Sequence, residues 1–206
     1  MGAATTETAA GLALDRVAGA WQVVLTEPEA AALLRFGALL MEWNAHINLT
    51  GAKTAEALID EHLPDAFALA SVLDVPARAV DVGSGGGLPA IPLAILRPTL
   101  DLTLVEPLSK KVAFLRTAVR ELGLAAHVRV EPRHAEDLGR ASFDVAMSRA
   151  TFPPPAWVRL ASGLVRPGGR ILVLTVPGTT DVAGQRLTYC GGRRELVEAA
   201  PTECST

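Results

Sequence analysis

Only two cysteines occur in the 206 residues, Cys190 and Cys204, both near the carboxyl end. That is too few for a disulfide framework and lacks the paired spacing of a zinc site, so both read as free thiols and no metal is expected. No apolar run approaches the roughly 18 uninterrupted residues of a membrane helix, and the mean hydropathy of +0.30 is inflated by alanine. Arg16 is the one basic side chain in the first twenty residues, which also carry Glu7 and Asp15. Neither a secretory signal nor an Arg-rich transit peptide fits that stretch, and a cytoplasmic protein without a membrane association is expected. A charge excess is lacking as well: 19 basic and 22 acidic residues leave a net −3, which argues against coating nucleic acid by bulk attraction but leaves room for a local basic patch. Internal repeats and low-complexity linkers are absent, and the length suits one domain, or one domain with a small appendage, able to bury a full core.

Three segments differ in texture. Residues 1–20 are small and polar without a sustained period, which predicts a flexible N-terminal arm over residues 1–25. Residues 26–74 read as a helical cap. There Thr26 and Glu29 form a T-x-x-E capping box, Pro28 sits in the first turn, and Ala32, Leu33, Phe36, Leu39, Leu40 and Trp43 recur at helical spacing. A turn-rich stretch over 44–51 follows, then a second helix from about Thr54 through Leu69 despite Pro64. Residues 75–206 alternate short apolar strands with helices, the pattern of βαβ units around a parallel sheet. Expected strands are Ala79–Gly83, Asp101–Glu106, Val128–Glu131, Phe143–Ser148 and Arg170–Val176; expected helices are Leu88–Leu96, Ser109–Leu122 and Pro155–Leu164. Near the end, Arg186–Cys190 and Arg193–Val197 flank Gly191-Gly192, a hairpin that adds an antiparallel edge, with too little chain before it for a full last crossover helix.

The chemistry concentrates where the first strand enters its helix, at Ala79-Val80-Asp81-Val82-Gly83-Ser84-Gly85-Gly86-Gly87-Leu88-Pro89. Glycines there let the backbone turn tightly and approach a ligand, while the helix start presents free N–H groups. The dinucleotide fingerprint needs glycine where Leu88 stands; the spacing is instead Gly83, Gly85, Gly87 behind Asp81, a G-x-G-x-G pattern that resembles class I S-adenosyl-L-methionine-dependent methyltransferases. A ribose-binding acid belongs at the end of the next strand, roughly 20 residues on, and Glu106 lies 23 positions after Gly83. His134-Ala135-Glu136-Asp137 follows the third strand, where such folds hold the adenine; Glu136 reads either as a cofactor contact or as a surface charge. After the fourth strand the N/D-P-P-Y/F sequence of amino-group methyltransferases is missing, and Ser148-Arg149-Ala150 stands in its place.

Together with Asn48-Leu49-Thr50, the H-x-x-D of His62 and Asp65, and Lys110-Lys111 through Arg116, these motifs make the chain similar to the RsmG (GidB) family over about residues 30–176. That family comprises bacterial methyltransferases acting on N7 of a guanine in 16S ribosomal RNA. The resemblance implies a Rossmann-like class I methyltransferase α/β sheet, mostly parallel with an antiparallel C-terminal strand, plus the N-terminal helical cap. It implies S-adenosyl-L-methionine as cofactor, S-adenosyl-L-homocysteine as product and 16S rRNA in the 30S subunit as partner; a monomer is expected rather than an oligomer. Cofactor positions are Asp81, Gly83, Ser84, Gly85, Gly87, Leu88, Glu106, Ala135, Glu136 and Arg149. Arg149 is also the candidate catalytic residue, donating to guanine O6, with a structural ion pair as its other reading. Asn48, His62, Lys110, Lys111 and Ser148 are candidate substrate contacts; His62 reads equally as a packed histidine, and the lysines as a solvated helix face.

Two departures from the family pattern stand out. Glu61 replaces the usual Arg before the histidine of the cap helix, and Thr175-Val176-Pro177-Gly178 replaces a Lys-Gly after the fifth strand. They keep two alternatives open: a diverged member acting on a small molecule or peptide, and a non-catalytic cofactor-binding module.

Overall fold

The computed structural model describes residues 2–73, 75–139 and 141–202, with side chains from residue 9 onward. Seven strands form one sheet in the order β3-β2-β1-β4-β5-β7-β6. The strands are β1 (Ala77–Val82), β2 (Leu100–Val105), β3 (Val128–Glu131), β4 (Phe143–Arg149), β5 (Val165–Thr175), β6 (Gln185–Tyr189) and β7 (Arg194–Ala199). Strands β1 to β5 pair in parallel, and β7 enters antiparallel between β5 and β6. The helices are α1 (Gly2–Ala20), α2 (Glu27–Asn44), α3 (Ala55–Val72), α4 (Ala90–Leu96), α5 (Ser109–Glu121) and α6 (Pro154–Leu164), with a single 3-10 turn at Ala135–Asp137.

Alternation along the strands assigns each side chain to one of two cores. Ala79, Leu102, Leu104, Val145, Met147 and Leu172 face the layer built from α1 to α5. Val80, Val82, Val105, Ala146, Ile171 and Val173 face α6 through Trp157, Val158, Ala161 and Leu164. The period-2 rule thereby sends Asp81 and Arg149 toward the face that carries the cap, since they stand in phase with Ala79 and Met147.

The capping box at Thr26 forms as the sequence predicts, with Thr26 N donating to Glu29 Oε2 at 2.7 Å. The terminal hairpin forms too, turning through Cys190 to Arg193 with Gly191 and Gly192 at φ +62° and +82°. Among the described residues no helix lies between β5 and β6, and none is long and apolar enough to cross a membrane.

One expectation fails. The segment read as a flexible arm is helix α1, packed on α3. Ala10, Ala13, Leu14, Val17 and Ala18 are all buried, an i, i+3, i+4, i+7, i+8 stripe hidden from the reading by its alanines. Arg16 on the outer side pairs with Asp60 of α3 at 2.7 Å. The helical cap thus comprises three helices rather than two, and residues 21–25 are its first connection.

Candidate active site

The glycine loop leaves β1 at its carboxyl end. Gly83, Gly85 and Gly87 all have positive φ, at +76°, +56° and +73°, a region that disfavours any residue with a Cβ. A Cβ on Gly83 would strike Thr151, and one on Gly87 would strike Ile91, whereas one on Gly85 would meet nothing closer than 3.8 Å. Two of these glycines are therefore required by packing, and Gly85 keeps a space open beside the loop.

Glu106 binds the loop directly. Its Oε2 accepts from Gly85 N at 2.9 Å and its Oε1 from Leu108 N at 3.0 Å, with the residue only 4% exposed. Gly83 N and Ser84 N donate to Val105 O at 2.9 and 3.1 Å, so the end of β2 sets the loop's height. Ser84 Oγ donates to Asp81 O and Ser148 Oγ donates to Val82 O, both buried. At the end of β1, Asp81 Oδ2 is buried and has no hydrogen-bond partner among the described residues. Burial pushes the Asp81 carboxyl up to about 7, partly countered by the Ser84 hydroxyl and the positive charge of Arg149. A buried acceptor without a donor is costly, and this one lies at the end of β1 two residues before the loop begins at Gly83. Leu88 is buried at the start of the helical segment, Ala135 is buried in the 3-10 turn, and Glu136 beside it is exposed.

A second constellation joins the cap to the carboxyl ends of β4 and β6 and the amino end of β7. Asp65 is 1% exposed and accepts from Tyr189 Oη at 2.7 Å, Arg194 Nη1 at 2.8 Å and Arg149 Nη1 at 2.9 Å. Tyr189 and Arg194 are cross-strand partners on β6 and β7, so the hairpin delivers both to one carboxylate. Arg149 Nη1 also donates to His62 Nδ1 at 2.9 Å. Burial, together with the charges of Arg149 and Arg194, lowers His62 to about 4. The ring is therefore neutral at pH 7, accepts at Nδ1, and donates from Nε2 to Thr50 Oγ1 at 3.1 Å. Burial beside Asp65 raises Tyr189, which stays a phenol donor.

These groups line a cleft of about 800 Å³. Its walls are α3 on one side and the start of α6 on the other. The ends of β4 and β5 and the β6–β7 turn close it, with Phe152, Leu174, Val176 and Arg193 among the contributors.

Most sequence-assigned residues fall into these two neighbouring sets. Asp81, Gly83, Ser84, Gly85, Gly87, Glu106 and Ser148 cluster around the loop, and His62 and Arg149 line the cleft. Asn48 is exposed, and the Asn48-Leu49-Thr50 segment is held by a residue the sequence reading passed over. Asn44 Oδ1 accepts from Leu49 N and Thr50 N at 2.8 and 3.0 Å, and its amide donates to Thr50 O. This places the backbone of Leu49 against Gly86, where a Cβ would come within 3.0 Å of Leu49 O. Lys110 and Lys111 open α5, the first exposed and the second partly so, and neither makes an ion pair among the described residues. Asp65 was signalled by its i, i+3 spacing from His62. Tyr189 and Arg194 carried no local signal, because only the insertion of β7 brings them across the sheet.

The GidB family model, described as rRNA small subunit methyltransferase G, matches residues 29–183. A ribosomal RNA small subunit methyltransferase G from Myxococcus xanthus is 36% identical over 154 residues, covering 72% of this chain and 70% of the relative. One of the same description from Xanthomonas axonopodis pv. citri is 41% identical over 146 residues, covering 70% and 68%. Among solved structures, the tRNA methyltransferase TrmI from Aquifex aeolicus superposes with a TM-score of 0.52 at 13% identity, over 68% of this chain and 69% of that one, a likeness of fold.

Proposed function

The chain belongs to the GidB family, rRNA small subunit methyltransferase G, and from that premise we propose that it transfers a methyl group from S-adenosyl-L-methionine to N7 of a guanine in 16S ribosomal RNA, as presented by the 30S subunit. S-adenosyl-L-methionine supplies an electrophilic methyl group and departs as S-adenosyl-L-homocysteine. The observation that carries the reading is the unpartnered, buried Asp81 Oδ2 at the end of β1, two residues before a loop whose Gly85 keeps a gap open.

The chain's own residues suit that cofactor. Asp81 offers a carboxylate to the cofactor's ammonium group, which brings the donor the buried oxygen lacks. Glu106, already fixed by two backbone N–H groups, keeps acceptor capacity for the ribose hydroxyls. Gly83, Ser84 and Gly87 shape the loop, Gly85 lets the cofactor approach it, and Leu88, Ala135 and Glu136 stand on the path toward the adenine.

Guanine N7 has a free lone pair and no proton to lose. The enzyme therefore needs no general base; it must align that nitrogen with the methyl group and exclude water, which is catalysis by orientation. Arg149 projects into the cleft, with Nη1 committed to Asp65 and His62. Its other N–H groups are free to donate to guanine O6, an acceptor on the same edge as N7. The ion pair and the substrate contact, which the sequence presents as alternatives, are compatible: Asp65 and His62 hold the guanidinium that reads the base.

Incubating the purified protein with 30S subunits and methyl-labelled S-adenosyl-L-methionine tests the proposal. Label in 16S RNA that disappears in Glu106→Ala supports it. Label that never enters RNA but appears in a small acceptor contradicts it.

A further inference from the structure

Of the side chains lining the cleft, Phe152 has no part in the hydrogen-bonded network and no place in the cofactor loop. It follows Ala150, whose φ of +55° turns the chain sharply out of β4, and it precedes three consecutive prolines, Pro153 to Pro155, which lead into α6. Backbone freedom around it is therefore small. Its ring stacks on Trp157, with centroids 5.8 Å apart and planes 16° from parallel. Trp157 is 1% exposed and anchored by its indole N–H, which donates to Leu172 O at 3.1 Å. Phe152 itself is partly exposed and lines the cleft opposite α3. A rigid aromatic face, backed by a second, buried ring, stands at the edge of a cleft that holds three arginines, Arg149, Arg193 and Arg194.

Resting on the acceptor reading above, we propose that Phe152 is the stacking platform for an extruded nucleobase, so that the cleft takes a purine turned out of its RNA rather than a paired one. N7 lies on the major-groove edge, and in A-form RNA that groove is too deep and narrow for side chains to reach. A guanine presenting N7 to this cleft must leave its stack, and the lost stacking is replaced by an aromatic surface. Phe152 supplies that surface from the α6 side while Arg149, held from the α3 side, reads the base edge. The ring face away from Trp157 is the one left for the base.

The test compares Phe152→Ala, Phe152→Leu and Phe152→Trp with the wild-type protein. The readouts are steady-state methylation of 30S subunits and calorimetric binding of S-adenosyl-L-homocysteine. Leucine fills most of the space and preserves contact with the α6 core but has no π-face, whereas tryptophan restores one. The expected result is a fall in kcat/KM of about 5- to 150-fold, the span of one base–aromatic stack, in both the alanine and leucine variants. Tryptophan recovers most of the activity, and cofactor affinity stays the same throughout. Wild-type kcat/KM in Phe152→Leu overturns the platform and leaves the ring a packing residue, and this variant decides the question should alanine disturb the fold. A wild-type protein that methylates no RNA overturns the acceptor reading itself, and the platform with it.

Discussion

Removing the Asp65 carboxylate should both destabilise the protein and disable its cleft. Asp65 is 1% exposed and accepts three hydrogen bonds of 2.7 to 2.9 Å, two of them from guanidinium groups. Breaking a buried pair by deleting one partner costs about 3–5 kcal/mol, because the surviving charge is left uncompensated. Arg149 and Arg194 retain 21% and 30% side-chain exposure, so water recovers part of that loss and the lower end, about 3 kcal/mol, is the expected cost of Asp65→Ala. Against a total stability of about 5–15 kcal/mol this is severe, and at about 2–4 °C per kcal/mol for a chain of this size it lowers Tm by roughly 6–12 °C. Asp65→Asn should fall between, since the amide keeps one acceptor but turns its NH2 toward donors. Urea denaturation of both variants gives the stabilities, and a double-mutant cycle with Arg149→Ala isolates the pair. Methylation should fall further than stability explains, because Arg149 is no longer held. A loss below about 1 kcal/mol in Asp65→Ala, with activity intact, would refute the view that this carboxylate organises the cleft.

The pH dependence carries two opposing contributions. His62 lies near 4 in the folded protein against its ordinary 6.5, so the unfolded chain binds more protons in that window, and acidification through it removes stability; His62→Gln should flatten that loss in denaturation curves recorded from pH 7 to pH 4. Asp81, raised from 3.8 to about 7, keeps its proton between those values in the folded protein without cofactor and contributes the reverse slope, so Asp81→Asn should raise Tm above pH 7 while weakening cofactor binding. Gly85→Val places a branched side chain in the gap beside the loop and in a left-handed conformation, so calorimetry should find cofactor binding abolished with the far-UV spectrum retained; unchanged affinity would remove the cofactor from that gap. Reversing Lys110 and Lys111 to Glu should weaken binding to 30S subunits and reduce its salt dependence, with cofactor affinity unchanged; equal salt slopes for variant and wild type would take these side chains off the RNA.

The loop chemistry was legible because it is local. Asp81 through Leu88 is a contiguous strand-turn-helix signal, and Glu106 stands at the strand end where an α/β fold requires an acid. The parallel strands were equally plain, being short apolar runs between helices. Two kinds of feature escaped. Helix α1 hid because its buried stripe is largely alanine, whose burial a hydropathy pattern registers weakly. The Asp65 hub depends on β7 inserting beside β5, a long-range arrangement that no spacing encodes, and the Phe152–Trp157 stack depends on the conformation of the turn after β4. Asn44 begins a turn-rich stretch with nothing local to mark it, yet it is the residue that seats Leu49 against Gly86.

The most direct measurement takes 30S subunits from a host lacking the gene, methylates them with the purified protein and labelled S-adenosyl-L-methionine, and identifies the labelled nucleoside by mass spectrometry of 16S RNA fragments. The account predicts 7-methylguanosine at a single site and nowhere else, with the yield falling in Glu106→Ala and Arg149→Ala. Label in another nucleoside, in ribosomal protein, or spread over many guanines would contradict it.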